Sequence, residues 1–443
     1  MKKPRLLRLF GFLALVLCTF LPAVKAQTMD RIERERMKSI LDNLKNVIKK
    51  DYYDPGFRDI DIETRFKQAK ERIEQVTTVG QALSAISQVL MDFNDSHLYF
   101  LPPSTNLEVE YGWRLQMYGS RCYVVAVQPK SDAEAKGLKP GDQVLAIEGF
   151  RPTKKELWKI GYYYNILSKR PKIKLNVIGP NDETPRSLEI DSKITQHPKV
   201  INWQTIYLDQ DYDGDDYSIN RFLSLGNITV WKMQTFAIDP KEIGGFVGRA
   251  KEGNSLILDL RRNGGGYVKT LERLAGFIFD KDLKIAELKG RKPMDPSESK
   301  TQGKDVFTGK LIVLIDSNSG SASEIFARLV QLEKRGIVLG DVSAGAVMQA
   351  KGFSATTGAN SEIFYGASVT NADVIMSDGK SLENVGVMPD ELILPSGRDL
   401  ADGRDPVLAR AVELLGGKIS PEDAGKFSVD FKWKQNGRFR IIF

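Results

Sequence analysis

Four serines fall within seven positions of the stretch LIVLIDSNSGSASEIFARLV (Leu311–Val330): Ser317, Ser319, Ser321 and Ser323. A serine hydroxyl becomes a nucleophile when a base takes its proton and N–H donors meet the oxyanion it creates, so acyl transfer is the chemistry to weigh. The apolar run Leu311–Ile315 reads as a strand that delivers the chain to Asp316–Gly320. A helical spacing follows, with Ile325, Leu329 and Leu332 on one face. Ser321 stands at that corner, where the next backbone N–H of a helix start is free to donate. It also opens Ser321-Ala322-Ser323-Glu324, an S-x-x-E capping box, which offers a purely structural job worth about 1 kcal/mol. The two roles need different directions of the hydroxyl, and local sequence leaves both open.

A second candidate lies in SLILDLRRNGGGYVKTLERLAGFIF, where an apolar strand runs into Asn263-Gly264-Gly265-Gly266 and then a helix. Consecutive glycines let backbone N–H groups approach a ligand unobstructed. The spacing fits neither a P-loop, lacking Gly-Lys-Ser/Thr, nor G-x-G-x-x-G. An oxyanion site or a turn that merely needs glycine remain. The chain has only two histidines to act as a base, His97 in NDSHLYFLPP and His197 in TQHPKVINW. The first reads as a loop residue, the second as part of a connecting strand before a proline.

The elements that must position these residues fall into three characters. From Met29 to about Phe93 apolar residues recur at helical spacing (Ile32, Met37, Ile40, Leu41, Leu44, Ile48; then Ala82, Leu83, Ile86, Val89, Leu90, Phe93), broken by YYDPGFRD and TTVG, which predicts three helices. Between about Val109 and Ile190 short strands and turns predominate, including GSRCYVVAVQPKSDAEAKGLKPGDQVLAIEG and the alternating KIKLNVIG. From Tyr217 to about Pro395 continuous apolar strands (GNITVWKM, SLILDLR, GKLIVLID, GIVLGDV) alternate with helices. That order predicts a mostly parallel sheet covered on both faces, an α/β core. A helix is expected at about Asp405–Leu415, then a terminal hairpin in KFSVDFKWKQNGRFRIIF with its turn at Asn436-Gly437. KGRKPMDPSESKTQGKD reads as one long polar surface loop.

With 443 residues, 42% hydrophobic and 27% charged, the chain has the composition of a globular protein with two or three cores. Residues 1–26 have a basic start, one apolar run and a small-x-small end at Val24-Lys25-Ala26, the pattern of a cleaved secretory signal; the mature protein is expected to be secreted or periplasmic, with no stable membrane span. The apolar run is broken by Pro22, which argues against an uncleaved anchor. Removing the signal takes five basic residues and lowers the net charge from +7 to about +2, so the basic balance makes no case for nucleic acid. Cys122 is then the sole cysteine, which excludes an internal disulfide and a cysteine zinc cluster.

Taken in order, LILDLRRNGGG, LIVLIDSNSGSASEIFARLV and SLENVGVMPDELIL resemble the core of the C-terminal-processing (tail-specific) peptidase and tricorn protease superfamily. The module around YVVAVQPKSDAEAKGLKPGDQVLAIEG resembles the PDZ domain that this family carries before its core. The resemblance implies a crotonase-like α/β core of ββα superhelical type, with an N-terminal helical bundle and an inserted β-rich PDZ-like domain. The expected boundaries are 1–26 signal, 27–104 helical, 105–192 PDZ-like, 193–400 peptidase core and 401–443 tail. In the tail-specific branch a lysine in a T-F-G-K-G pattern is the base. Here VSAGAVMQAKG has Ala346 in its place, with Lys351 and Lys334 off the motif position. The tricorn-like branch uses a histidine in an acidic-x-His pattern and an acidic residue near G-V-x-P-D; Asp95-Ser96-His97 and Glu383 in LENVGV match these.

Carried over residue by residue, the resemblance implies Ser321 as nucleophile, His97 as general base, Glu383 as the group that orients it and Ser96 as an auxiliary hydroxyl. The backbone N–H groups of Ala322, Gly264 and Gly265 would form the oxyanion hole. No metal or cofactor is implied. The partner implied is a protein or peptide substrate, its C-terminus being one end the PDZ-like module would hold, although the carboxylate-binding pattern around Glu110–Gly119 is loose. The alternatives are a catalytically silent PDZ-containing binding protein and a Ser-Lys dyad with the displaced Lys351; oligomerisation is left open.

Overall fold

The computed structural model describes residues 29–103, 105–201, 220–358 and 363–428. The signal-like segment and the Asn436-Gly437 turn lie outside the described residues.

Three helices open the fold, Arg31–Asp51, Ile62–Gln75 and Val79–Met91. Each begins where a side chain takes up the orphan N–H groups: Asp30 accepts from Glu33, Asp61 from Thr64, and Thr78 with Gln81 forms a full capping box. Their apolar stripes meet in one cluster with Tyr52, Phe93 and Phe100; Ile32, read as the first residue of that stripe, is exposed instead, in the opening turn of its helix. The chain then enters the short strand Tyr99–Leu101, which pairs antiparallel with the long strand Ile363–Met376, Phe100 opposite Ala367. The loop between helix and strand carries Ser96 and His97, so both are fixed between the helical unit and the rest of the molecule.

The next unit is a five-stranded antiparallel sheet, Trp113–Tyr118, Arg121–Val127, Gln143–Ile147, Lys172–Ile178 and Arg186–Asp191, each paired with the next. It has its own apolar core, including Val124, Leu138, Leu175 and Val177. Its entering and leaving segments, Thr105–Glu110 and Lys193–Ile201, pair with each other. His197 lies on the latter and meets Glu108 at 2.7 Å.

The core sheet runs Asn220–Leu225, Ile228–Met233, Ser255–Asp259, Lys310–Ile315, Ile337–Gly340, Glu391–Leu392 in both sequence and space. All neighbours are parallel except the first pair. Its strands are apolar on both faces because both are covered. Trp231, Met233, Leu256, Leu258, Leu311, Val313 and Ile315 join a cluster with Ile243, Leu271, Leu274, Phe326 and Leu329, from the helices Ile243–Ala250, Val268–Ile278 and Ala322–Leu332. The alternate residues Val230, Ile257, Ile312, Leu314 and Leu339 pack on Val407, Leu408, Ala411 and Val412 of the helix Pro406–Leu414.

Two sequence expectations change. Lys426–Ser428, assigned to the terminal hairpin, ends the helix Pro421–Ser428, with Ala424 buried on the core sheet's second face and Ser428 Oγ bonded to Asp405. The polar loop after Lys289 is not all surface: Ser297–Ser299 pairs with Leu283–Lys289, and its two buried serines bond to Glu272, Ser297 Oγ to the carboxylate at 3.1 Å and Ser299 Oγ to the carbonyl at 3.0 Å. Serines turned onto a neighbouring helix satisfy their hydroxyls there, so polarity alone misjudged the burial.

Candidate active site

The strand Lys310–Ile315 ends in Asp316, whose carboxylate accepts from Arg262 N (2.9 Å) and Asn318 N (3.0 Å) and holds the turn that follows. At its end Ser321 has φ 51° and ψ −117°, a conformation that side-chain-bearing residues avoid. Such strain costs roughly 1–3 kcal/mol and persists only where the surroundings over-determine it. The Ser321 N–H donates to Ala346 O at 2.9 Å and Glu324 Oε2 at 3.0 Å. The Glu324 N–H turns to the Ser321 carbonyl (2.9 Å), and the Ser321 side chain makes no capping bond. The residues stand as an S-x-x-E box, but the bonds that form are the glutamate's on the Ser321 N–H and the Glu324 N–H on the Ser321 carbonyl, so the hydroxyl is not the principal acceptor at this helix start. Fully buried Glu324 also accepts from Ser343 Oγ (2.6 Å), Gly345 N (2.6 Å) and Ala346 N (2.9 Å). Burial pushes its carboxyl upward, and the four donors oppose that.

The glycine loop packs directly on this corner. Asn263, fully buried, accepts at its carbonyl from Gly320 N (2.9 Å) and Ser323 Oγ (2.8 Å), while its amide donates to Met233 O at 3.0 Å. The Gly265 N–H donates to Asn263 Oδ1 at 2.9 Å and is thereby occupied, whereas the N–H groups of Gly264 and Ala322 have no partner among the described residues. Gly265 has φ 100°, and a Cβ there would lie 2.6 Å from Ser321 Cβ and 3.0 Å from Ala322 N. Gly265→Ala should therefore destabilise the protein by roughly 1–3 kcal/mol and, by displacing Ser321, lower turnover about 100-fold. A urea midpoint and a peptide cleavage rate check both; wild-type values for the variant would contradict the packing argument.

Ser96, His97 and Glu383 come together from positions far apart in the chain. Glu383 accepts from Ser96 N at 2.8 Å, Ser96 Oγ at 2.7 Å and Val347 N at 2.9 Å. Ser96 Oγ is 2.8 Å from His97 Nδ1. With Glu383 ionised, the single hydroxyl proton of Ser96 goes to the carboxylate and its lone pair is left to accept Nδ1–H, which in the neutral ring makes Nε2 the bare nitrogen. Glu383 thus reaches the imidazole through Ser96, not by a bond of its own. Burial raises the Glu383 carboxyl to about 7, with Asp95 adding to the rise and the bonds from Ser96 and Val347 opposing it. Burial lowers His97, while the Asp95 charge pulls the other way.

The two halves of the site hang on consecutive residues: Ala346 O takes the Ser321 N–H and Val347 N holds Glu383. Among the described residues the imidazole and the Ser321 hydroxyl are not bonded to each other. Lys351, on the strand Met348–Thr357, and Lys334 are exposed and lack the burial that a lysine base needs. Lys154, which sequence reasoning did not consider, reaches from the β-rich unit to the carbonyls of Val342 (3.0 Å) and Ser343. Asn263, Asp95 and Asp316 were also assigned no role in advance. Each is a polar residue next to a motif, and only its burial distinguishes it.

A strained serine at a strand-to-helix corner on a mostly parallel sheet, with N–H groups of Gly264 and Ala322 left without a partner among the described residues and a histidine–carboxylate relay tied to the next segment, is an arrangement suited to acyl transfer, and the chain is a serine-type peptidase. Residues 224–393 match the profile of peptidase family S41. A carboxyl-terminal-processing protease of Synechocystis sp. is 24% identical over 355 residues, 77% of this chain and 78% of that protein. Together these matches support the C-terminal-processing peptidase superfamily. Two solved structures share its mixed α/β fold. Mature CPAF complexed with lactacystin superposes with a TM-score of 0.62 at 12% identity over 83% of this chain and 95% of that one. The photosystem II D1 C-terminal processing protease gives 0.50 at 17% identity over 81% and 93%.

Proposed function

We propose that the protein is an exported endopeptidase that cleaves polypeptides by acyl-enzyme chemistry with Ser321, His97 and Glu383, of the tricorn-like rather than the lysine-dependent design. The observation that carries this reading is the chain from Glu383 through Ser96 to His97 Nδ1, which leaves Nε2 as an acceptor. His97 takes the Ser321 proton as the hydroxyl attacks a peptide carbonyl, then gives it to the leaving amine; water repeats the sequence on the acyl-enzyme. The N–H groups of Ala322 and Gly264 meet the oxyanion, Gly265 serving the hole by its shape. A bond between base and nucleophile that is missing without substrate is common in such sites and tightens in the complex.

The segment 1–26 acts in this reading as a cleaved export signal, and among the described residues no helix is long and apolar enough to cross a membrane. The divisions proposed are 27–104, 105–192, 193–400 and 401–443, with the strand Lys193–Ile201 pairing back onto the β-rich unit and the helix Pro406–Leu414 packing on the core sheet; the core is read as crotonase-like and the β-rich unit as a PDZ-like module for substrate tails or gating. Contacts between that unit and the nucleophile's turn support a gating role: Gln116 Nε2 donates to Asp316 Oδ2 at 2.7 Å, and Ser317 Oγ to Met117 O at 2.5 Å.

A fluorophosphonate probe tests the assignment. Wild type is expected to label at Ser321, His97→Ala to lose labelling, and Lys351→Ala to label like wild type. Loss in Lys351→Ala with His97→Ala unaffected would establish the dyad instead. Wild type that neither labels nor cleaves unstructured protein would favour a binding protein.

A further inference from the structure

Three successive non-glycine residues, Phe57, Arg58 and Asp59, lie in the left-handed region with φ of 54°, 54° and 62°. Side chains make that conformation costly, so a run of three needs a reason. Asp54 pins the turn, accepting from Gly56 N at 2.9 Å and Arg58 N at 2.6 Å. Its product is the direction of one side chain. The Arg58 guanidinium turns inward onto the carbonyls of Phe93 (3.3 Å) and Asn94 (2.5 Å) and lies 3.8 Å from Asp95 Oδ2, with Nε on Tyr53 Oη at 3.3 Å.

These are the three residues that precede Ser96 and His97. Asp95 is buried and accepts from His97 N (3.0 Å), Thr370 Oγ1 (2.7 Å) and Tyr52 Oη (2.9 Å). The Asn94 carbonyl also takes Asn384 Nδ2 at 3.0 Å, from the residue next to Glu383. We propose that Arg58 is a positioning residue for the base: its guanidinium, aimed by the left-handed turn, grips residues 93–95 so that Ser96 and His97 meet Glu383. The inference rests on His97 being the base. A merely structural Arg58 would tie the helical unit to its neighbours without affecting the imidazole.

Among the described residues the charged and titratable groups around this loop are Arg58, Asp95, Glu383, Tyr52 and Tyr53, with the Arg65–Asp92 pair, Arg291 and Asp373 packed behind them. Removing the Arg58 cation leaves the Asp95 anion uncompensated beside His97, which favours the imidazolium. The experiment uses the full exported chain and a quenched peptide substrate, with the His97 ring titrated by NMR in a His197→Gln background, where it is the remaining histidine. Arg58→Gln is expected to lower kcat about 10-fold or more with KM within about two-fold, as a group acting only through the base should, and to raise the His97 midpoint. Arg58→Lys, which keeps the charge and loses the fork, should fall between, and it serves as the test if Arg58→Gln does not fold. Unchanged kcat, or activity lost only in proportion to folded protein with the His97 titration unmoved, overturns the inference. If His97→Ala itself stays active, the assignment of the base fails instead.

Discussion

Ser321→Ala should abolish peptide-bond cleavage, lowering kcat by roughly 10⁴-fold or more, as removal of the nucleophile does in a concerted triad, while leaving thermal stability almost untouched. The second half of this expectation is the discriminating one. A serine that caps a helix costs about 1 kcal/mol on truncation, but the Glu324 N–H bonds to the Ser321 carbonyl and the hydroxyl caps nothing. The groups that hold the corner are Ala346 O and the Glu324 carboxylate on the Ser321 N–H, and alanine keeps that N–H. The melting midpoint should therefore move by less than about 2 °C in a protein of this size. A drop of several degrees would restore the capping role. Residual turnover near wild type would move the nucleophile elsewhere.

The second large effect is on pH. The proposed mechanism needs Glu383 ionised and His97 neutral. Glu383 is raised by burial to about 7, whereas burial holds His97 low, so the carboxyl limits the acid side. kcat/KM should fall about tenfold for each pH unit below that value and level off above it. Glu383→Gln, which cannot carry the charge, should be slower by about 100-fold or more and lose this limb. Linkage gives an independent check with a definite sign. A carboxyl whose pKa is higher folded than unfolded binds its proton more tightly in the native state, so its contribution favours folding at acid pH and is lost as pH rises from about 4.5 toward 7. Urea midpoints measured from pH 5 to 8 should show that decline in wild type and not in Glu383→Gln. A flat wild-type profile with an acid limb retained in the variant would assign the limb to another group.

Patterns confined to a few consecutive residues were readable because their physics is local. The helical spacing of Met37, Ile40, Leu41, Leu44 and Ile48 marks a helix, and the apolar runs at Ile228–Met233 and Lys310–Ile315 announce strands covered on both faces. Asn263-Gly264-Gly265-Gly266 and S-x-x-E likewise marked two corners beside strands. Their order along the chain carried the resemblance to a peptidase superfamily and, with Ala346 in the lysine's place, directed attention to His97.

What the chain order could not supply was geometry between residues remote in sequence. Ser96 and Glu383 are 287 positions apart, and nothing local says that the serine lies between the carboxylate and the imidazole. The two roles of Ser321 could be weighed only from the folded backbone, where the Glu324 N–H bonds to the Ser321 carbonyl instead of its hydroxyl. Gly265 and Gly264 read alike, yet the nearby Asn263 amide oxygen occupies one N–H and not the other. Arg58 sits in YYDPGFRD, which reads as a linker, and acquires a role only when the helical unit folds back and brings Phe93, Asn94 and Asp95 within reach of its guanidinium. Caps and apolar periodicity depend on neighbours along the chain and are written there; hydrogen-bond relays and buried charges depend on neighbours in space, and the tertiary fold alone decides those.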